Sequence, residues 1–170
     1  SDTARHFVGG LQKRMCEMSI CGTITPNGYR RRQPFSFCPI NATWGIDNRT
    51  VGIRVIEGSD SATRIEKRDG TAEANPYLML AAEIAAGLDG IEQGLEPSEM
   101  ISGNGYLDEV AEPLPTDLRD AVKLARESEW MKELCGEHMY ELLCQMCERE
   151  VEFVKAQVTQ VELDRYLGNI

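Results

Sequence analysis

Apolar positions follow two different rhythms along the chain. In the second half they recur at the three- and four-residue spacing of helices. Leu118, Ala121, Val122 and Ala125 follow Asp117, and Tyr140, Leu143, Cys147, Val151 and Val154 mark the inner stripe of a long acidic helix. Start signals stand where these stripes begin. Asn75-Pro76 is an N-cap with proline at the first helical position, and it opens a Leu-, Met- and Ala-rich helix from Tyr77 to about Gly94 that Gly87 and Gly90 are expected to interrupt. Ser128 caps a turn ending near Gly136, and Thr159 with Glu162 forms a capping box for a last helix that stops at Gly168. Between them, Glu96 to Pro115 holds three prolines and two glycines and predicts a long irregular loop.

The first half has a short helical pattern around Phe7 to Met18, then a Gly-, Pro- and Asn-rich stretch. Two strand-like runs follow, Arg49 to Ile56 (Val51, Ile53 and Val55 alternating) and Thr63 to Arg68. Helices segregated from a mostly antiparallel sheet predict an α+β fold, with the strands in the first half and helices packed around them in the second. The length of 170 residues suits one domain, and 42% hydrophobic with 27% charged residues excludes a disordered chain. No apolar run nears the ~20 residues of a membrane span, so no membrane association is expected. The opening Ser-Asp-Thr-Ala-Arg-His has neither a starter methionine nor the apolar centre of a signal peptide, which predicts a cytoplasmic chain cut from something longer.

Charge refines this picture. The net charge of −10 argues against nucleic acid as a partner. Residues 1–75, however, carry 11 Lys/Arg against 8 Asp/Glu, a net of +3, and nine of the eleven are arginines. Arginine grips phosphates and carboxylates bidentately, so a small anion is the expected ligand of this half. Cys135-Gly-Glu-His138 and Cys144-Gln-Met-Cys147 look like two metal half-sites. On one continuous helix Cys135 and Cys144 face opposite ways, so convergence would need a break at Gly136, and ordinary half-buried thiols are the favoured reading.

The most informative segment is Arg64-Ile-Glu-Lys-Arg68. Alternation places Arg64, Glu66 and Arg68 on one face of a strand. Alone, such a face is commonly a solvated set of cross-strand ion pairs. Functionally, it offers a carboxylate for a hard divalent cation, flanked by guanidinium groups for phosphate or carboxylate. Parity would put Arg49 and Arg54 on opposite faces, so both serve one site only if their strand begins after Arg49.

Several motifs in order then resemble a known family. Asn27-x-Tyr29-Arg30-Arg31, Trp44-x-x-Asp47-Asn48-Arg49, Arg54, Arg64-Ile65-Glu66-x-Arg68 and Ala74-Asn75-Pro76-Tyr77-Leu78 are similar to the C-terminal part of the glutamine synthetase catalytic domain. Ala86-Gly87-Leu88-Asp89-Gly90-Ile91 continues the likeness. The resemblance implies that residues 1–170 are one partial domain, without the family's β-grasp domain or the first half of its catalytic domain. It implies an ATP-dependent ligase that joins glutamate to ammonia or an amine through an acyl phosphate, with Mg²⁺ or Mn²⁺, in a homo-oligomeric parent. By analogy Arg31 and Arg68 hold substrate carboxylates, Arg49 steadies the transferring phosphoryl group, Arg54 and Arg64 contact the nucleotide, and Glu66 ligates the metal.

Two departures stand out against that pattern. The family's flap glutamate falls at Phe37, and no carboxylate occurs between Asn27 and Ile46. That favours a bulkier acceptor and points to a γ-glutamyl-polyamine or -alkylamine ligase as the alternative to an ammonia ligase. The family's other metal ligands are not in this chain, and His6 and His138 do not match the missing one, so the 170-residue chain alone is expected to be inactive. A non-enzymatic structural relative is the third reading, and the retained Arg49, Arg54, Arg64, Glu66 and Arg68 speak against it.

Overall fold

The computed structural model describes residues 1–59 and 61–169. Helix α1 (Asp2–Arg14) starts at the Ser1 cap and is followed by two short helices, α2 (Ser19–Gly22) and α3 (Pro26–Arg30). Three strands come next: β1 (Trp44–Ile46), β2 (Ile53–Ile56) and β3 (Arg64–Lys67). The rest is helical, with α4 (Pro76–Gln93), α5 (Leu118–Arg126), α6 (Glu129–Lys155) and α7 (Gln160–Tyr166). The α+β expectation holds, the caps at Asn75, Ser128 and Thr159 each accept the backbone N–H bonds expected of them, and Asp117 caps α5 as well. No described helix is long and apolar enough to cross a membrane.

Sheet order is β1-β2-β3. The pair β2–β3 is the antiparallel pair read from the sequence, with Arg54 opposite Glu66. Strand β1 was not anticipated and runs parallel to β2, Trp44 beside Ile53. Parallel neighbours usually need a long crossover. Here β1 is only three residues, so the chain returns through the short turn 47–52. Asp47 reverses it at φ 46°, and Asn48 accepts from the Thr50 N–H and hydroxyl at 2.9 and 2.7 Å.

The glycines of α4 do not interrupt it. Helix α1 crosses α4 so closely that a Cβ at Gly10 would lie 2.7 Å from Gly90 N, and one at Gly90 would lie 2.6 Å from Gly10 Cα. The Phe7 ring covers Gly87. Glycine is needed here for backbone approach rather than for a bend. Arg14 locks the seam, bonded to Asp89 at 2.8 Å and Glu17 at 2.9 Å. Below it Met15, Met18, Ile20, Ile53, Leu114, Leu118 and Met131 are buried and join the sheet to α5 and α6.

Gly136 does break α6, with φ 68° and ψ 153°. The metal half-sites still do not converge: His138 is exposed, Cys144 and Cys147 are buried, and no group of three metal-ligating side chains gathers among the described residues. Burial pushes the Cys144 thiol up to about 11 and those of Cys21 and Cys147 to about 12, values at which they stay protonated and unreactive.

Candidate active site

The arginine-rich face of the sheet is built by the β2–β3 register. Because Arg54 stands opposite Glu66, its Nη1 reaches Glu66 Oε2 at 3.2 Å, while Arg64 Nε reaches Oε1 at 3.0 Å. Arg54 turns its other edge to Asp47, Nε to Oδ1 3.1 Å, at the end of β1. Desolvation works against the Glu66 charge, but Arg64 and Arg54 outweigh it and hold the carboxyl below its usual range. The hydrogen bond from Arg54 does the same for Asp47. Arg49 lies in the exposed turn before β2, which starts at Ile53, so the parity objection to a shared site does not arise.

Arg31 and Arg68 form a second group. Arg31 Nη2 donates to the carbonyls of Asp69 and Gly70 at 2.9 and 2.6 Å. Arg68 is spent on main chain: Nη1 donates to the Val51 carbonyl at 3.0 Å and to that of Arg49, and Nη2 donates to the Phe37 carbonyl at 2.9 Å. Burial lowers the Arg68 pKa from its ordinary value. Arg68 thereby ties three pieces together: the end of β3, the turn carrying Arg49, and the loop carrying Phe37. Phe37 and Phe35 stand on that loop with their rings exposed.

Behind the sheet lies a buried charge network. Lys67 Nζ is 2.5 Å from Asp69 Oδ1 and 3.8 Å from Glu83 Oε1, and Arg32 Nη2 is 3.9 Å from Asp69 Oδ2. Arg32 also donates to the Pro115 carbonyl at 2.7 Å and stacks on Tyr29 with 4.6 Å to the ring centroid. Burial opposes the Asp69 charge, but Lys67 and Arg32 keep its carboxyl below the usual range. Among the described residues, Arg32 Nε and Asp69 Oδ2 are the buried side-chain polar atoms without a hydrogen-bond partner. The basic run Asn27 to Arg32 reads from sequence as a solvated loop, yet Arg32 is buried, and Lys67 lies on the strand face away from Glu66. The signal was there in the same alternation, which puts 65, 67 and 69 on the face opposite Glu66.

A divalent cation fits these residues only in part. Magnesium needs an octahedral oxygen shell. Glu66 supplies one carboxylate whose two oxygens are already engaged by guanidinium groups, and no complete metal site gathers among the described residues. A cleft of about 870 Å³ lies elsewhere, between α1 and the loop 95–112, and none of the expected site residues lines it.

Arg54 and Arg64 thus flank the Glu66 carboxylate on the sheet, Arg31 and Arg68 are bonded to main-chain carbonyls, and a buried ionic network of Lys67, Asp69 and Arg32 lies behind. The family model described as "Glutamine synthetase, catalytic domain" matches residues 1–166, and the chain belongs to the glutamine synthetase family. It is 37% identical to a glutamate–isopropylamine ligase of a Pseudomonas species, over 100% of this chain and 38% of that protein. It is 39% identical to the γ-glutamylethanolamide synthetase GlnA4 of Streptomyces coelicolor, over 97% of this chain and 35% of that protein. Against the glutamine synthetase of Thermus thermophilus the identity is 37%, over 99% of this chain and 39% of that protein. Among solved structures, a GmaS/ADP complex superposes with a TM-score of 0.88 at 32% identity, covering 99% of this chain and 40% of that one. The chain thus spans less than two fifths of these curated relatives' length.

Proposed function

We propose that this chain is the C-terminal part of the catalytic domain of an ATP-dependent carboxylate–amine ligase, a single partial domain of a larger cytoplasmic, homo-oligomeric enzyme. The observation that carries the reading is the β2–β3 register, which sets Glu66 between Arg54 and Arg64 with Arg49 and Arg68 at the same edge. Such a cluster suits phosphoryl transfer, where catalysis is mostly positioning and charge neutralisation.

In this scheme a glutamate side-chain carboxylate oxygen attacks the terminal phosphorus of ATP; the new O–P bond forms as the bond to ADP breaks. The amine nitrogen then attacks the acyl carbon, the C–O bond to phosphate breaks, phosphate leaves with the electron pair, and the nitrogen gives up a proton. Arg54 and Arg64 contact the nucleotide, and Arg49 steadies the phosphoryl group in flight. Arg31 and Arg68, each also bonded to main-chain carbonyls, hold the substrate's carboxylates. Glu66 is the chain's one ligand to a Mg²⁺ or Mn²⁺ ion, which when bound screens phosphate charge.

The acceptor reading that fits best is an organic amine rather than ammonium, because Phe37 stands where a carboxylate would serve NH₄⁺ and because two relatives are named for isopropylamine and ethanolamide chemistry. The test is ADP release by the full-length protein. Release that requires both glutamate and an amine supports the ligase, and release indifferent to both, or no binding of an ATP analogue, refutes it.

A further inference from the structure

Two consecutive arginines of the basic run behave in opposite ways. Arg31 is exposed and Arg32 is buried, yet both close on the same residue, Asp69. Arg31 holds its main chain, with Nη2 donating to the carbonyls of Asp69 and Gly70 at 2.9 and 2.6 Å. Arg32 faces its side chain, with Nη2 at 3.9 Å from Oδ2, while Lys67 Nζ meets Oδ1 at 2.5 Å. Thr23 joins the two layers. Its hydroxyl donates to the Asp69 carbonyl at 3.1 Å and accepts from Arg32 Nη2 at 3.4 Å.

The neighbours of Asp69 extend the arrangement. Arg68, just before it, donates its N–H to the Gly52 carbonyl at 3.0 Å and its guanidinium to the carbonyls of Val51 and Phe37. Thr71, two residues on, donates its N–H to the Gly22 carbonyl at 2.8 Å. Segment 68–70 therefore carries one of the two expected carboxylate-binding arginines and holds the other. Where Asp69 sits decides how Arg31 stands relative to Arg68.

Such a core is a poor source of stability. Apolar residues of similar volume often stabilise as well or better, and here Arg32 Nε and Asp69 Oδ2 are buried without a hydrogen-bond partner. What charged bonds supply is direction: they fix the orientation of a carboxylate and of the peptide that carries it. We propose that Asp69, held by Lys67 and Arg32, is a positioning residue that aligns Arg31 with Arg68 through the Asp69 and Gly70 carbonyls. The inference rests on the ligase reading, in which those two arginines bind the substrate's carboxylates. Lys67, Asp69 and Arg32 touch no substrate, and the bond changes are those given above.

The test is steady-state ADP release by the full-length protein, with glutamate and ATP varied in turn and whichever of isopropylamine or ammonium the parent uses as acceptor. The triple variant Arg32→Leu, Lys67→Met, Asp69→Leu removes the charges together. Its KM for glutamate is expected to rise about tenfold or more with the KM for ATP unchanged, since a misplacement of about 1 Å can cost about 100-fold. Arg31→Ala raises the KM for glutamate by itself, and adding the triple change to it is expected to bring little further rise, because the network acts through Arg31. Asp69→Asn keeps the shape at 69 without the charge and is expected to raise the same KM in smaller measure; it decides the matter should the triple variant not fold. A folded variant with the parental KM for glutamate, an equal rise for glutamate and ATP, or effects of the triple change and Arg31→Ala that multiply would overturn the positioning role and leave the ligase standing. A parent whose ADP release needs neither glutamate nor an amine overturns the ligase reading and this inference with it.

Discussion

Replacing Lys67 with methionine tests the buried network behind the site. The Lys67 side chain is 4% exposed and that of Asp69 1%, and the ammonium lies 2.5 Å from the Asp69 carboxylate and 3.8 Å from Glu83. Without it, Asp69 keeps only Arg32, whose nearest nitrogen is 3.9 Å away. Removing one partner of a buried pair leaves an uncompensated charge and costs about 3–5 kcal/mol. At about 2–4 °C per kcal/mol for a chain of this size, the melting temperature is expected to fall by roughly 6–20 °C. The triple variant Arg32→Leu, Lys67→Met, Asp69→Leu removes the charges together, and Glu83, 22% exposed, keeps its access to water. Apolar replacement of a whole buried ionic group is often neutral or stabilising, so the triple variant is expected within about 1 kcal/mol of the parent or above it. Circular dichroism melts of the purified proteins near neutral pH measure both. A Lys67→Met protein melting within about 2 °C of the parent, or a triple variant less stable than the single one, would refute the reasoning.

The same network gives a pH dependence. The folded-state pKa of Asp69 is depressed, so its contribution is full above the unfolded value near 3.9 and is lost as pH falls through the folded one. The gap in urea midpoint between the parent and Asp69→Asn is therefore expected to close in acid, and a gap constant down to about pH 2 would contradict this. At the α1–α4 seam, helix propensity alone would have Gly90→Ala stabilise by about 1 kcal/mol. The contact at 2.6 Å with Gly10 Cα reverses the sign, to a loss of about 1–3 kcal/mol, and a raised melting temperature would count against the seam as described. Finally, the isolated 170-residue chain, with Glu66 as its one inherited metal ligand, is expected to turn over no ATP with glutamate and amine. Sustained ADP release by it would sink that expectation.

Much of the fold was legible because its signals are local. Caps at Asn75, Ser128 and Thr159 are read from one residue and the three that follow, and the break at Gly136 from one glycine. The pairing that faces Arg54 with Glu66 follows from two alternating runs joined by a short turn. What escaped was non-local. Gly87 and Gly90 read as interruptions because their reason, the backbone of α1, lies some eighty residues earlier in the chain. Strand β1 is too short to show a period, and its parallel partner comes after a turn. Alternation says only that 67 and 69 face away from Glu66; that Lys67, Asp69 and Arg32 meet in the interior rests on tertiary pairing, without which charged side chains are almost never fully buried. The left-handed backbone of Phe35 and Phe37 carries no glycine or asparagine to announce it.

The way the aromatic loop is held bears on how such an enzyme changes its diet. Arg68 and Tyr106 grip the loop by the carbonyls of Phe37 and Cys38, groups that every residue possesses whatever its side chain. The two bonds therefore ask of the side chains at positions 35 and 37 only that they tolerate a left-handed backbone. A replacement that accepts that backbone leaves both carbonyl bonds in place. On the ligase reading proposed above, single substitutions at these positions change what the loop presents to an acceptor while the carbonyl bonds that hold it stay as they are.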